Sequence, residues 1–519
     1  MNGAQSLLST LQANGVDVCF GNPGTSEMHF VAALDHVPSM RGVLGLFEGV
    51  VTGAADGYAR VTGRPAATLL HLGPGLGNGF ANLHNARRAH VPLINVVGDH
   101  ATYHSRFDAP LESDIAAVSS AVSGWHRRTA RPDDVAGDAA DAVLAAYGPP
   151  GQIATLVLPA DASWGELSAP PRHSIVRPPT LPAPPADRVS EAARVIRTKK
   201  TAIILGYDGV RLPALSIAHR IGTLHGVRIM SETFPTIQDR GAGVFQPDRI
   251  IYLSEFAVGQ LRECEAVVLV GAKTPVGFFG YPDIPSELLP PDCDVVTLTE
   301  PGLSAVAGLE ALLDELGSHG DVEGPHGSVS GEPTGELTTL TLAQAVAATL
   351  PADTILVDES NTGGLHLYGQ LTYAAPHQLL TLTGGAIGYG LPAAVGAAIG
   401  GGGRRVLAIE SDGSMMYTLQ ALWTMARESL DITVLGLSNR SYAILNLELG
   451  RVGATSEGAA SRRMLDLEDP QLDLCGLAAS QGVPAQRVTT ADELVAALRR
   501  SYATPGPTFI EVVLPKGLG

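Results

Sequence analysis

Cysteine is scarce in this 519-residue chain. Its four residues, Cys19, Cys264, Cys293 and Cys475, are too dispersed to bracket a metal finger or a disulfide framework, so buried free thiols in a reducing compartment are expected. No apolar run reaches the roughly 20 residues that span a bilayer. The opening MNGAQSLLSTLQANG reads as an amphipathic helix rather than a charged region leading into an apolar one. A cytoplasmic location with no membrane contact is therefore expected. Long basic runs are also missing, and the formal net charge is −18, which argues against nucleic acid or an anionic membrane as a partner. A small anionic ligand would need a local cationic site.

What is present is globular: 45% hydrophobic residues, with enough length for about three domains. Residues 168–188, SAPPRHSIVRPPTLPAPPADR, are dense in proline and should be extended, whereas 317–336 are rich in Gly, Ser and acidic residues and should be loose. These linkers delimit three units, 1–167, 189–316 and 337–519. Short Val/Ile/Leu runs punctuate helical stretches at 16–20, 67–71, 93–97 and 153–158 in the first unit. They recur at 202–205, 266–270 and 295–298 in the second, and at 354–357, 379–382, 406–409, 432–437 and 508–513 in the third. Such runs mark strands buried on both faces, so the fold class is α/β, three domains each with a mostly parallel sheet covered by helices.

The most informative segment is ESDGSMMYTLQALWTMARESLDITVLGLSNRSYAILN, residues 410–446. An apolar strand runs into Ser411-Asp412-Gly413-Ser414, a helix follows, and a second strand ends at Asn439. Asp412 and Asn439 then lie at carboxyl ends of parallel strands, where open α/β sheets bind ligands. A carboxylate, an amide oxygen and nearby carbonyls form a hard oxygen set suited to Mg2+.

This segment resembles the signature of thiamine diphosphate enzymes, a GDG followed at this distance by paired asparagines. Ser411, Ser438 and Arg440 depart from that pattern. The resemblance extends to LFEGVVTGAADGYARVTGRPAATLLHLGPGLGNG around Glu48, to GNPGTSE at 21–27 and to TGGAIGYGLPAAVGAA from Thr383, in the family's order. It implies amino-terminal pyrimidine-binding, central, and carboxyl-terminal diphosphate-binding domains. It also implies thiamine diphosphate and Mg2+ as cofactors, with the metal on Asp412, the Asn439 side chain and the Ser441 carbonyl. Glu48 would hydrogen-bond pyrimidine N1′, and its apolar flanks favour a shared proton there. The carbonyl of Gly385 would accept from the 4′-amino group, Ile387 would wedge between the rings, and Gly413, Ser414, Asn361, Thr362 and Tyr442 would contact the diphosphate. A dinucleotide reading of HLGPGLGNG fails because Asn78 stands where a third glycine belongs.

The resemblance further implies a homodimer or homotetramer with active sites between subunits and a small-molecule 2-oxo acid substrate. His71 and Thr25 match a proton-transferring histidine and a substrate-binding serine of benzoylformate decarboxylases. An imidazole suits that role because it exchanges protons near neutrality. A second histidine of those enzymes is replaced within VGFFGYPD, nearest Phe278, Phe279 and Tyr281, and Ile444 and Glu448 change the pocket downstream. The DAPLESD segment, 108–114, resembles that of acetolactate synthases but carries Pro110 and Leu111 in place of their acceptor-site residues. Segments that would hold FAD are not found, so FAD is not expected. The leading expectation is a 2-oxo acid decarboxylase, followed by an acetolactate synthase-like carboligase, and then by a non-catalytic homologue that acts as a binding or regulatory partner.

Overall fold

In the computed structural model, which describes residues 1–171, 173–317, 320–454 and 458–517, the short apolar runs build three sheets. The first has six parallel strands in the spatial order Arg41–Leu44, Val18–Gly21, Ala66–His71, Leu93–Asp99, Ile153–Pro159, Trp125–Arg128. The second runs Asp248–Arg249, Arg228–Ser231, Thr201–Leu205, Ala266–Val270, Asp294–Thr299, also parallel. The third runs Ala485–Val488, Thr508–Val513, Ile432–Ser438, Val406–Ser411, Thr354–Glu359, His377–Thr381, Ile237–Arg240. Every residue of Leu93–Asp99, Ile153–Pro159 and Ala266–Val270 is buried, as strands covered by helices on both faces must be.

Strands absent from the sequence reading lie mostly at sheet edges. Arg41–Leu44, Trp125–Arg128 and Ala485–Val488 are half exposed, so they lack the continuous apolar signature. Ile237–Arg240 joins the third sheet as its one antiparallel strand, pairing with His377–Thr381, although it lies within the 189–316 segment. The glycine-rich stretch after His71 is a helix, Leu72–Asn78. Among the described residues no helix is long and apolar enough to cross a membrane.

The first and third units share one apolar cluster, in which Val51, Ala54 and Tyr58 meet Ile355, Tyr389 and Ala393. The Glu48–Thr62 helix crosses the Gly390–Gly400 helix there with the two amino termini on the same side. Backbones approach so closely that a Cβ on Gly57 would lie 2.1 Å from the Ala393 carbonyl oxygen, and one on Gly396 would lie 1.8 Å from that of Ala54. Only glycine fits either position. The second sheet keeps its own apolar clusters.

Gly396→Val should therefore force the two helices apart, at a cost of about 1–3 kcal/mol for overpacking. Gly137→Ala, in the Val135–Tyr147 helix where a Cβ would meet nothing, should stabilise by roughly 0.5–1 kcal/mol. Urea unfolding of the two variants beside the parent checks both signs.

Candidate active site

The helix crossing places two turns side by side. Glu48 is the first residue of its helix and is buried, with Oε2 accepting from Asn78 Nδ2 at 3.0 Å. A Cβ on Gly75 would sit 3.3 Å from Glu48 Oε1 and 3.5 Å from His71 Cβ, so Glu48 and His71 flank the same glycine. His71 ends the Ala66–His71 strand, and its Nδ1 bonds Glu27 Oε2 at 2.8 Å. The same Glu27 oxygen accepts the Gly24 N–H at 2.7 Å. Glu27 is almost wholly buried, which raises its carboxyl pKa against the lowering effects of the Gly24 N–H and the imidazole. Thr25 follows Gly24, whose missing side chain leaves room for the His71 ring.

The second turn is 383–388. Gly385 and Gly388 have φ of 74° and 89°, conformations that favour glycine. The Phe80–Arg88 helix grips this turn: Asn82 Nδ2 donates to the carbonyls of Gly49 and Gly388 at 2.8 and 3.1 Å, and Asn85 Nδ2 donates to Ala386 at 2.8 Å. His84 Nε2 lies 3.2 Å from the Gly384 carbonyl. One amide nitrogen therefore ties the residue after Glu48 to the residue after Ile387, within a single chain. Ile387 itself is half-buried against the shared apolar cluster. Phe278 covers the open face of Gly385, its Cζ 2.4 Å from where a Cβ would be.

Behind the turn, Glu359 accepts the N–H groups of Gly388, Tyr389 and Gly390 at 2.7, 2.8 and 2.6 Å, anchoring the start of the Gly390–Gly400 helix. Glu410 lies against it, fully buried, with neither carboxyl oxygen bonded in the structure. Burial raises both carboxyls: Glu359 goes to about 7 against the lowering effect of its main-chain N–H partners, and Glu410 is pushed well up by burial and then by the neighbouring Glu359 charge. Both shifts favour the protonated form, and a proton on Glu410 would let it donate to Glu359.

The metal candidates cluster at the adjoining strand ends. Asp412 is buried and accepts the N–H groups of Gly413 and Arg440 at 2.9 and 2.7 Å, while Asn439 Oδ1 accepts from Ser441 N at 3.0 Å. Burial raises Asp412, and a cation would relieve that cost. Asn361 Nδ2 bonds Ser411 Oγ and Ser414 Oγ at 3.0 and 2.9 Å, with Thr362 in the same 3-10 turn. A Cβ on Gly413 would strike the Tyr442 ring. Hard oxygen donors beside hydroxyls, an amide and a bare glycine backbone fit a divalent cation and a diphosphate. Glu448 is met by Arg451 at 2.6 Å, and that guanidinium also reaches Tyr281 and Glu255.

Glu27, Asn82, Glu359 and Glu410 were not among the residues singled out from the sequence. Glu27 alone had a signal, as the acid closing GNPGTSE three residues after Gly24.

Residues 1–120 match the family described as thiamine pyrophosphate enzyme, N-terminal TPP binding domain, and residues 362–512 match its C-terminal TPP binding domain. The chain is 54% identical over its whole length to all of a Mycobacterium tuberculosis protein named "Putative acetolactate synthase large subunit IlvX". It is 30% identical to benzoylformate decarboxylase of Pseudomonas aeruginosa, covering 97% of each chain. The structure of the Rhodococcus jostii RHA1 thiamine diphosphate-dependent 4-hydroxybenzoylformate decarboxylase aligns over 100% of both chains with a TM-score of 0.86 at 23% identity, a likeness of fold.

The carboxyl pair sets a pH dependence. A raised folded-state pKa stabilises below the ordinary carboxyl range, and that stabilisation is lost as pH rises through about 7. Glu410→Gln keeps a donor for Glu359 and removes the repulsion. Urea unfolding of metal-free protein should show the parent losing stability between about pH 5 and 8, with a flatter profile for Glu410→Gln.

Proposed function

The chain belongs to the thiamine pyrophosphate enzymes related to acetolactate synthases and benzoylformate decarboxylases, and from that premise we propose that it is a Mg2+-dependent 2-oxo acid decarboxylase. The observation that carries this reading is the Glu27–His71 pair beside Glu48. With Nδ1–H donated to the Glu27 carboxylate, His71 keeps Nε2 free to take and return a proton, next to the residue matched to the family's catalytic glutamate.

The bound cofactor supplies a carbon nucleophile and an electron sink. The protein supplies position. Glu48 would hold the pyrimidine edge, oriented by Asn78. Gly385 would offer a carbonyl acceptor and Ile387 a wedge, both kept in place by Asn82 and Asn85. Asn361, Thr362, Gly413, Ser414 and Tyr442 would hold the diphosphate, and Asp412, Asn439 and the Ser441 carbonyl the metal. The Thr25 hydroxyl would meet the substrate carboxylate. A carboligase of the acetolactate synthase type is the second reading, favoured by the 54% identity to the Mycobacterium tuberculosis protein.

Carbon dioxide release from a panel of 2-oxo acids, with and without an aldehyde acceptor, separates the two. Glu48→Gln should lower turnover by at least about 10²-fold while calorimetric binding of thiamine diphosphate and Mg2+ persists. Unchanged turnover would overturn the assignment of Glu48.

We further propose a homodimer or homotetramer with active sites between subunits. The structure bridges Gly49 to Gly388 through Asn82 within one chain, and a second copy could make the same bridge by exchanging its first unit. Co-refolding Glu48→Gln and Asp412→Asn chains should then restore up to about a quarter of parental activity, because half of the random dimers carry one intact site of two. No recovery means that each chain completes its own site.

A further inference from the structure

A second concavity lies where all three units meet. It has a volume of about 400 Å3 and opens at the carboxyl ends of the second sheet's central strands, where Leu205, Ser231 and Val270 give way to Tyr207, Glu232 and Gly271. The first unit contributes His84, Arg88 and His90 from the end of the Phe80–Arg88 helix, and the third contributes Thr383 and Gly384. Phe278 separates this space from Gly385, and its ring packs on Phe234 and Tyr252 at 5.9 and 5.3 Å. The cavity therefore ends on the turn assigned to the cofactor's pyrimidine.

Its charge is opposite to that of the protein. Arg88 and Lys273 are exposed, and neither side chain makes an ion pair among the described residues, in a chain of net charge −18. His90, packed on Tyr207, is kept neutral, pushed down to about 4 by burial first and then by Lys273, Arg88 and Arg87. Glu232 is the one carboxylate in the wall. Its Oε1 accepts the Lys273 N–H at 3.1 Å, and burial pushes it up to about 7. Unpaired cations that also repel a buried imidazole create a local positive potential, which concentrates small anions.

The lining also limits the size of the anion. Among the described residues, neither Leu205 nor Val270 runs straight into an α-helix whose start could hold a phosphate chain. A 3-10 turn, Tyr207–Val210, follows Leu205, and no helix intervenes between Val270 and the next strand. The first amides of the Ala305–Leu316 helix are already taken by Asp208 and Ser304. Two cations, aromatic walls and no phosphate cradle suit a small carboxylate rather than a nucleotide.

We propose that this cavity is the vestibule through which a small 2-oxo carboxylate reaches the cofactor turn, with Arg88 and Lys273 recruiting its carboxylate and Phe278 forming the wall it passes. This rests on the 2-oxo acid reading above, and its test is built so that the two can fail separately. Cofactor-free protein is titrated calorimetrically with lactate, which carries the carboxylate but no 2-oxo group. Lactate should bind, about fivefold or more weakly in Arg88→Gln/Lys273→Gln, and more weakly when salt is raised from about 0.05 to 0.5 M. With whichever 2-oxo acid releases carbon dioxide, the double variant should raise KM about five- to tenfold with kcat changed less than about twofold. Absence of lactate binding in the parent, lactate binding indifferent to the substitutions, or an unchanged KM each overturns the vestibule. If no 2-oxo acid is decarboxylated by the parent, the functional reading falls while the lactate arm still decides whether the anion site exists.

Discussion

The close crossing of the Glu48–Thr62 and Gly390–Gly400 helices is the constraint on which the rest depends. Side chains absent from Gly57 and Gly396 let two backbones touch, and the contact welds the first and third sheets into one apolar cluster. Because the helices run with their amino termini together, the residues that begin them converge: Glu48 on one, and the Gly385–Gly388 turn on the other. The crossing is further locked by Arg60, buried and paired with Asp56, which reaches across to the Thr381 carbonyl and the Thr383 hydroxyl. A buried guanidinium is tolerated only when its donors are satisfied, and those acceptors exist only if the two helices keep this register.

Convergence gathers buried acids at one end of the molecule, and each is balanced differently. Glu48 takes a donor from Asn78, Glu27 faces an imidazole, Glu359 accepts three main-chain N–H groups, Glu410 is pushed toward its neutral form by burial and the Glu359 charge, and Asp412 keeps oxygen capacity for a cation. Five carboxyl groups with five kinds of compensation make the site electrostatically tense before any ligand arrives. The cavity on the second sheet supplies the opposite sign a short way off, so the 2-oxo acid proposed as substrate would approach through positive potential toward acids whose charges are already compensated.

The fold was legible because its strands are buried on both faces and therefore announce themselves as unbroken apolar runs. Edge strands such as Trp125–Arg128 were not, since one face is wet and no run forms. Ile237–Arg240 escaped notice for another reason: its place in the third sheet is a long-range pairing with His377–Thr381 that no local pattern encodes. At the site, residues in fixed spacings such as Asp412 and Asn439 could be read, and the structure sets them beside each other's loops. Glu359 and Glu410 could not be read. Glu359 stands two residues before Asn361 and Glu410 one residue before Ser411-Asp412-Gly413, each paired at the buried end of a strand, and the role of Glu359 comes from the helix start it faces. Asn82 was equally silent, because bridging Gly49 to Gly388 requires two turns that lie far apart in the chain.

The departures from the family pattern bear on whether the metal end of the site is intact. Ser411 Oγ donates to the Glu359 carbonyl at 3.2 Å and accepts from Asn361 Nδ2 at 3.0 Å, bonds a glycine could not make, and they tie the strand end to the turn carrying Asn361. Arg440 has φ 58°, a left-handed conformation that favours glycine and costs a side-chain-bearing residue roughly 1–2 kcal/mol. That strain is offset by the bond from its N–H to Asp412 and by its guanidinium, which meets Glu468 and the Leu514 carbonyl. A site drifting free of its ligand has no reason to hold an arginine in a strained conformation with its amide aimed at the carboxylate that would bind the metal. Ser411 and Arg440 instead add side-chain ties around Asp412 and Asn439, which favours an adapted catalytic centre over a decayed one.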